Sequence, residues 1–123
     1  MANDGERSAS SRCTTDTTAH RYPAQVITSA GTALSGVVAV SAGGWHTCAL
    51  TRPGTVYCWG DNTDGQSGAQ PLGGTVDTPK YITNGAVNVQ AGNSFSCFLR
   101  AAPESRVYCW GSDGAGTLGN GPD

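Results

Sequence analysis

Five cysteines, two histidines and three tryptophans hold most of the reactive or recognition chemistry open to this chain of 123 residues. Four cysteines fall into two pairs, Cys48/Cys58 and Cys97/Cys109, with nine and eleven residues between partners, and Cys13 is left over. Those spacings miss the short C-x2–4-C knuckle of a zinc site, so no metal is assigned. The pairs are disulfides or, alternatively, reduced cysteines acting as small apolar residues. The odd fifth cysteine implies a missing partner or a free thiol. His20 and His46 have no Ser, Asp or Cys partner evident in the sequence, so no catalytic dyad is assigned. No GxSxG, HExxH or GxxxxGK[ST] motif is present, and no cofactor is expected. The oxygens of DNTDGQSG (61–68) could face calcium, but they lack the alternating ligand spacing of an EF-hand and read as a turn.

The elements around the cysteines are strands. If Cys48 faces Cys58 across a hairpin, Leu50 faces Val56, Ala49 faces Tyr57 and Pro53 sits at the mirror point. If Cys97 faces Cys109, then Leu99 faces Val107, Phe98 faces Tyr108 and Pro103 is the mirror point. Both hairpins build the same ladder, although the second loop is two residues longer. Opposed Cβ atoms in an antiparallel pair lie roughly 4.5–5.5 Å apart, close enough for a disulfide after a small adjustment. A two-residue Pro53-Gly54 loop would shift the register and split the cysteines between faces, so a five-residue loop from Thr51 to Thr55 is expected.

The hairpin belongs to a larger repeat. Trp59 and Trp110 are 51 residues apart, and Cys48 and Cys97 are 49 apart. VVAVSAGGWHTC (37–48) matches AVNVQAGNSFSC (86–97), WGDNTDGQSG (59–68) matches WGSDGAGTLGNG (110–121), and TPKYI (78–82) echoes YPAQVI (22–27) as a short proline-led strand. Eighteen glycines and six prolines punctuate the chain, with short strands every ten or so residues. That is an antiparallel four-strand sheet repeated along the sequence. Residues 22–77 form a first repeat, 78–123 a truncated second, and 1–21 the tail of a preceding blade or loop. Seven Lys+Arg stand against nine Asp+Glu, scattered rather than striped, so nucleic-acid binding is not expected. No apolar run reaches membrane-spanning length, and the N-terminus has no apolar signal segment.

The order apolar strand, Ala-Gly, Gly-Trp-His-Thr or Asn-Ser-Phe-Ser, Cys-x-Leu, then Val-Tyr-Cys-Trp-Gly and a Gly-Gln-x-Gly or Gly-x-Leu-Gly loop resembles the regulator of chromosome condensation repeat. The resemblance covers residues 22–121 and implies an all-β fold: antiparallel four-strand blades of a β-propeller, here a partial one. It implies blade-packing roles for Trp59, Trp110, Gly60, Gly111, Leu50, Val56, Leu99 and Val107. The paired cysteines look like those of exported or extracellular members, which implies structural disulfides and an extracellular or cell-surface location. Kelch repeats match less well: Gly92-Asn93 replaces the glycine doublet Gly43-Gly44, and Tyr and Trp are too close in VYCWG. GGWHT is similar to a tryptophan motif of the plant ultraviolet-B photoreceptor but lacks its arginine, and photoreception is not assigned.

Matching Asp4-Gly5-Glu6 to Asp64-Gly65-Gln66 sets both ends in mid-blade, as in a fragment of a longer propeller. Uncovered blade faces should then self-associate or meet further blades. The expected function is a non-enzymatic protein-interaction or scaffold module presenting its loops to a protein partner. The alternative is a carbohydrate- or cell-wall-binding surface. Trp45, His46, Asp61 and Asp64 form the candidate binding surface.

Overall fold

A computed structural model of the chain describes residues 22–121. Cys13, His20 and the whole 1–21 segment lie outside it. Seven strands alternate with turns: β1 (Val37–Ala42), β2 (His46–Thr51), β3 (Thr55–Asp61), β4 (Thr75–Thr83), β5 (Ala86–Ala91), β6 (Phe95–Arg100) and β7 (Val107–Gly111). Strands β1 to β4 form one antiparallel sheet in sequential order, and β5 to β7 form a second, three-stranded sheet. The repeat unit read as four strands is therefore complete once among the described residues.

Both hairpin registers are those that the cysteine spacing requires. Cys48 pairs with Cys58, Ala49 with Tyr57 and Leu50 with Val56. In the second sheet Cys97 pairs with Cys109, Phe98 with Tyr108 and Leu99 with Val107. The cysteines of each pair are bonded, with Cα atoms 4.1 and 4.0 Å apart. The first ladder runs one rung further than expected, because Thr51 pairs with Thr55 and its hydroxyl donates to the Thr55 carbonyl. That leaves a three-residue loop, Arg52-Pro53-Gly54, in place of the expected five.

Two other expectations change. YPAQVI is not a strand: Ile27 makes an isolated bridge to Ala33 around a turn closed by Gly31 N–H donating to Thr28 O. TPKYI is a strand, but it lies within β4 and pairs with β3. The sheets therefore part at Asn84-Gly85, and a division at 77/78 cuts through β4.

Strand alternation then assigns the faces. Cys48, Leu50, Val56 and Cys58, 0–5% exposed, point from the first sheet toward the second. Ala86, Val89 and Phe98 meet them from the second sheet, with Ala39, Ile82 and Trp110 at the margin. The core is thus one blade-to-blade junction. Arg100 extends it at one side, its guanidinium 5.4 Å from the Phe98 ring centre and 5.2 Å from that of Tyr108, which is stacked on Phe98.

Candidate interaction surface

At one end of both sheets the β1–β2 and β5–β6 turns meet the ends of β3 and β7. Gly60 and Gly111 make this possible, with φ of +110° and +111°. A Cβ on Gly60 would sit 2.7 Å from Trp45 O, and one on Gly111 2.7 Å from Ser94 O. Only glycine combines that backbone with that approach. The closed contact is a hydrogen bond from Asp61 N–H to Trp45 O, repeated by Ser112 N–H to Ser94 O. Trp45 is thereby fixed by its backbone while its ring stays 77% exposed.

Beside Trp45 the DNTDGQSG segment closes on itself. The Asp61 carboxylate accepts from Thr63 N–H and Oγ1–H and from Gln66 Nε2. Buried Asn62 accepts from the amides of Ser67 and Ala69 and donates to Ala69 O. Asp113, its counterpart, accepts from Leu118 N–H in the same way. Asp61 is therefore a scaffold residue rather than a free surface carboxylate. Asp64 has its amide bound by Gln66 Oε1, and its side chain is exposed.

His46 was expected on this surface and is not there. At 3% exposure, it lies on the Cys48/Leu50 face, inside the blade junction. Its Nε2 is 2.8 Å from Ser96 Oγ, a partner the sequence did not reveal. The pair is not a nucleophilic dyad. Ser96 is fully buried, and its hydroxyl donates to Gln66 O at 3.0 Å. With that proton committed, imidazole Nε2–H is the donor to Ser96, and Nδ1 is buried without a partner. Burial lowers the His46 pKa below its usual value of 6.5, against smaller raising effects from the Phe95 backbone and Asp61. The ring is held neutral, and Gly43 leaves room for it, since a Cβ there would come within 2.5 Å of Cε1.

Gln66 O also accepts from Trp110 Nε1 at 3.1 Å, so one carbonyl of the first blade anchors two side chains of the second. Trp110 further meets Phe98, ring centres 5.8 Å apart, and lines a cavity of about 380 Å³ with Asp64, Leu72, Tyr81 and Ile82. Trp59 instead faces the 25–34 segment, across a cavity of about 430 Å³ lined by Val26, Leu34 and Val40. Leu50 and Val56 lie in the junction, whereas Leu99 is half-buried and Val107 is 66% exposed. The packing role expected for Val107 therefore has no counterpart within the described residues, since no further sheet covers that face. Ser96 and Gln66 were missed. The one signal for Ser96 was its match to Thr47 in the repeat.

Two disulfide-stapled antiparallel sheets stacked face to face, with the chain passing from the last strand of one to the first of the next, define consecutive blades of a β-propeller. Regulator of chromosome condensation (RCC1) repeat models match residues 37–66 and 53–99, and the chain belongs to this family. It is similar to alsin from Pan troglodytes, 43% identical over 65 residues, which cover 51% of this chain and 4% of alsin. Yeast RCC1 (Prp20), solved bound to Kap60, superposes with a TM-score of 0.64 at 20% identity over 71% of this chain and 22% of that one. Prp20p from Saccharomyces cerevisiae, solved in work on its binding to Gsp1p and histones, gives a TM-score of 0.53 at 28% identity over 63% and 19% of the two chains. The chain thus spans a small fraction of the relatives it matches.

Proposed function

We propose that this chain is a non-enzymatic protein-interaction module that binds a protein partner through the blade end carrying Trp45 and Asp64. The observation that carries this reading is Trp45 itself: a large aromatic ring, 77% exposed, on a backbone locked to Asp61. Anchors of this kind dominate protein interfaces because they bury much area at small entropic cost. The relatives support the reading, since yeast RCC1 was solved bound to Kap60 and Prp20p was studied with Gsp1p and histones. The buried, proton-committed Ser96 supports a non-enzymatic role.

The test is to capture the partner on immobilised protein, identify it by mass spectrometry and compare variants. Trp45→Ala should weaken binding by about 30-fold, the loss of a 2 kcal/mol anchor, with an unchanged melting temperature. Substitution of Arg52, in the loop at the opposite end of the sheet, should change nothing. Full binding by Trp45→Ala overturns the proposal.

The two disulfides support an oxidising, extracellular or cell-surface setting. Alkylation of the native product in denaturant followed by intact mass should then label one cysteine, whereas five labelled thiols reject that setting. A glycan-binding role is the second reading, favoured by the same exposed ring. It requires retention on polysaccharide that Trp45→Ala abolishes.

A further inference from the structure

The asparagines among the described residues differ in what each carboxamide carbon can meet. Asn62 is 1% exposed, and its carboxamide is bound by the backbone of Ser67 and Ala69. At Asn88 the next amide, Val89 N–H, donates to the asparagine's own Oδ1 at 2.8 Å, so that nitrogen is committed. Asn93 precedes Ser94, and its Oδ1 lies where a Cβ on Gly44 would stand. Asn84 and Asn120 precede glycine, and both are exposed.

Asn84-Gly85 is the more consequential of these two. It is the whole link between the sheets, since β4 ends at Thr83 and β5 begins at Ala86. Gly85 has φ of +74°, and no side chain on it screens its nitrogen. Among the described residues the Gly85 amide donates to no acceptor. The nitrogen is therefore open, next in the chain to a solvent-facing carboxamide.

Both flanks of the link are fixed. Ala86, 4% exposed in the blade junction, donates its N–H to Gly54 O at 2.9 Å, and Gly85 O accepts from Ala101 N–H at 2.8 Å. On the other side Arg100 Nη2 donates to Thr83 Oγ1 at 3.1 Å. Between those fixed points the main chain has the length of two residues.

We propose that Asn84 is a self-modifying site, converting through a succinimide to isoaspartate and so lengthening the link between the two blades. Solvent hydroxide takes the proton from Gly85 N. That nitrogen bonds to Asn84 Cγ, and the Cγ–Nδ2 bond breaks, releasing ammonia that takes its proton from water. Water then opens the ring. Attack at Cγ breaks the new bond and gives aspartate. Attack at the main-chain carbonyl of Asn84 instead leaves the chain running through Cβ and Cγ, which is isoaspartate. Nothing is oxidised or reduced, and water is the one co-reactant. Either product adds one negative charge to the net −2 of the chain. Isoaspartate also adds a methylene to the main chain between Thr83 and Ala86, at the expense of the Ala86–Gly54 or the Ala101–Gly85 hydrogen bond.

The test holds the full, oxidised chain at physiological temperature at pH 7 and pH 8, with peptide mapping for isoaspartate and the melting temperature followed together. Asn84 should convert about tenfold faster at pH 8, because the deprotonated fraction of so weak an acid rises tenfold per pH unit. The melting temperature should fall in step by about 5 °C, the loss of one hydrogen bond. Asn84→Gln, whose longer side chain closes the ring poorly, should hold its melting temperature throughout. Fresh Asn84→Asp carries the charge without the longer chain and should melt like fresh wild type. An Asn84 that keeps its amide overturns the proposal, whatever Asn120 does. Conversion without a fall in melting temperature overturns the lengthened link. So does an equal fall in Asn84→Gln, which assigns the loss to Asn120, or a fresh Asn84→Asp that already melts low, which assigns it to charge.

Discussion

His46 shows how burial turns a titratable group into a structural one. Its ring donates to Ser96 and has no partner at Nδ1, so a second proton would place charge in a dry junction. The folded-state pKa lies below 6.5, whereas the unfolded imidazole titrates near 6.5. Below 6.5 the unfolded chain therefore binds a proton that the folded chain refuses, and stability falls as pH drops through that window. Above 6.5 this group adds no pH dependence. Thermal melts at pH 8 and pH 5 should show a larger drop for the wild type than for His46→Gln, which keeps a donor but cannot titrate; equal drops would remove His46 from the account. Phe95, its repeat equivalent, carries no such dependence. The clue was legible: a residue two before Cys48 in a strand shares the face of Cys48.

Among the elements, two near-identical hairpins differ in what covers them. Leu50 is 5% exposed in the junction, and Leu99 occupies the same rung on the open face. Leu50→Ala should cost about 3 kcal/mol as a buried large-to-small change, and Leu99→Ala roughly 1 kcal/mol. Urea unfolding at low protein concentration measures both. Equal losses would mean that the Leu99 face is already covered in solution at that concentration. The register of both hairpins was legible because in each one covalent pair and two cross-strand pairs must satisfy one alternation. The fate of YPAQVI was not, since a short proline-led segment is a strand only where a sheet edge accepts it.

For the whole molecule, the proposed partner links binding to stability. Anything that binds the folded form alone raises its melting temperature by mass action. A partner doing so at 100-fold over its dissociation constant adds about 2.7 kcal/mol, roughly 10–20 °C for a domain of this size. The wild-type melting temperature should therefore climb when the captured partner is added, while that of Trp45→Ala climbs less. Equal rises would mean that Trp45 is not the contact.

The sequence by itself determined the strands around the cysteines, their pairing and the repeat, because these follow from local alternation and from a motif that returns at one period. It also marked Trp45 as a candidate contact. Only the tertiary structure decided that Ser96 is the partner of His46, that Gln66 O holds the second blade, and that β4 belongs to the first sheet. Those outcomes depend on which face of one sheet meets which face of the next. That choice is made by contacts between residues 14 to 50 positions apart in the chain, about which no local pattern carries information.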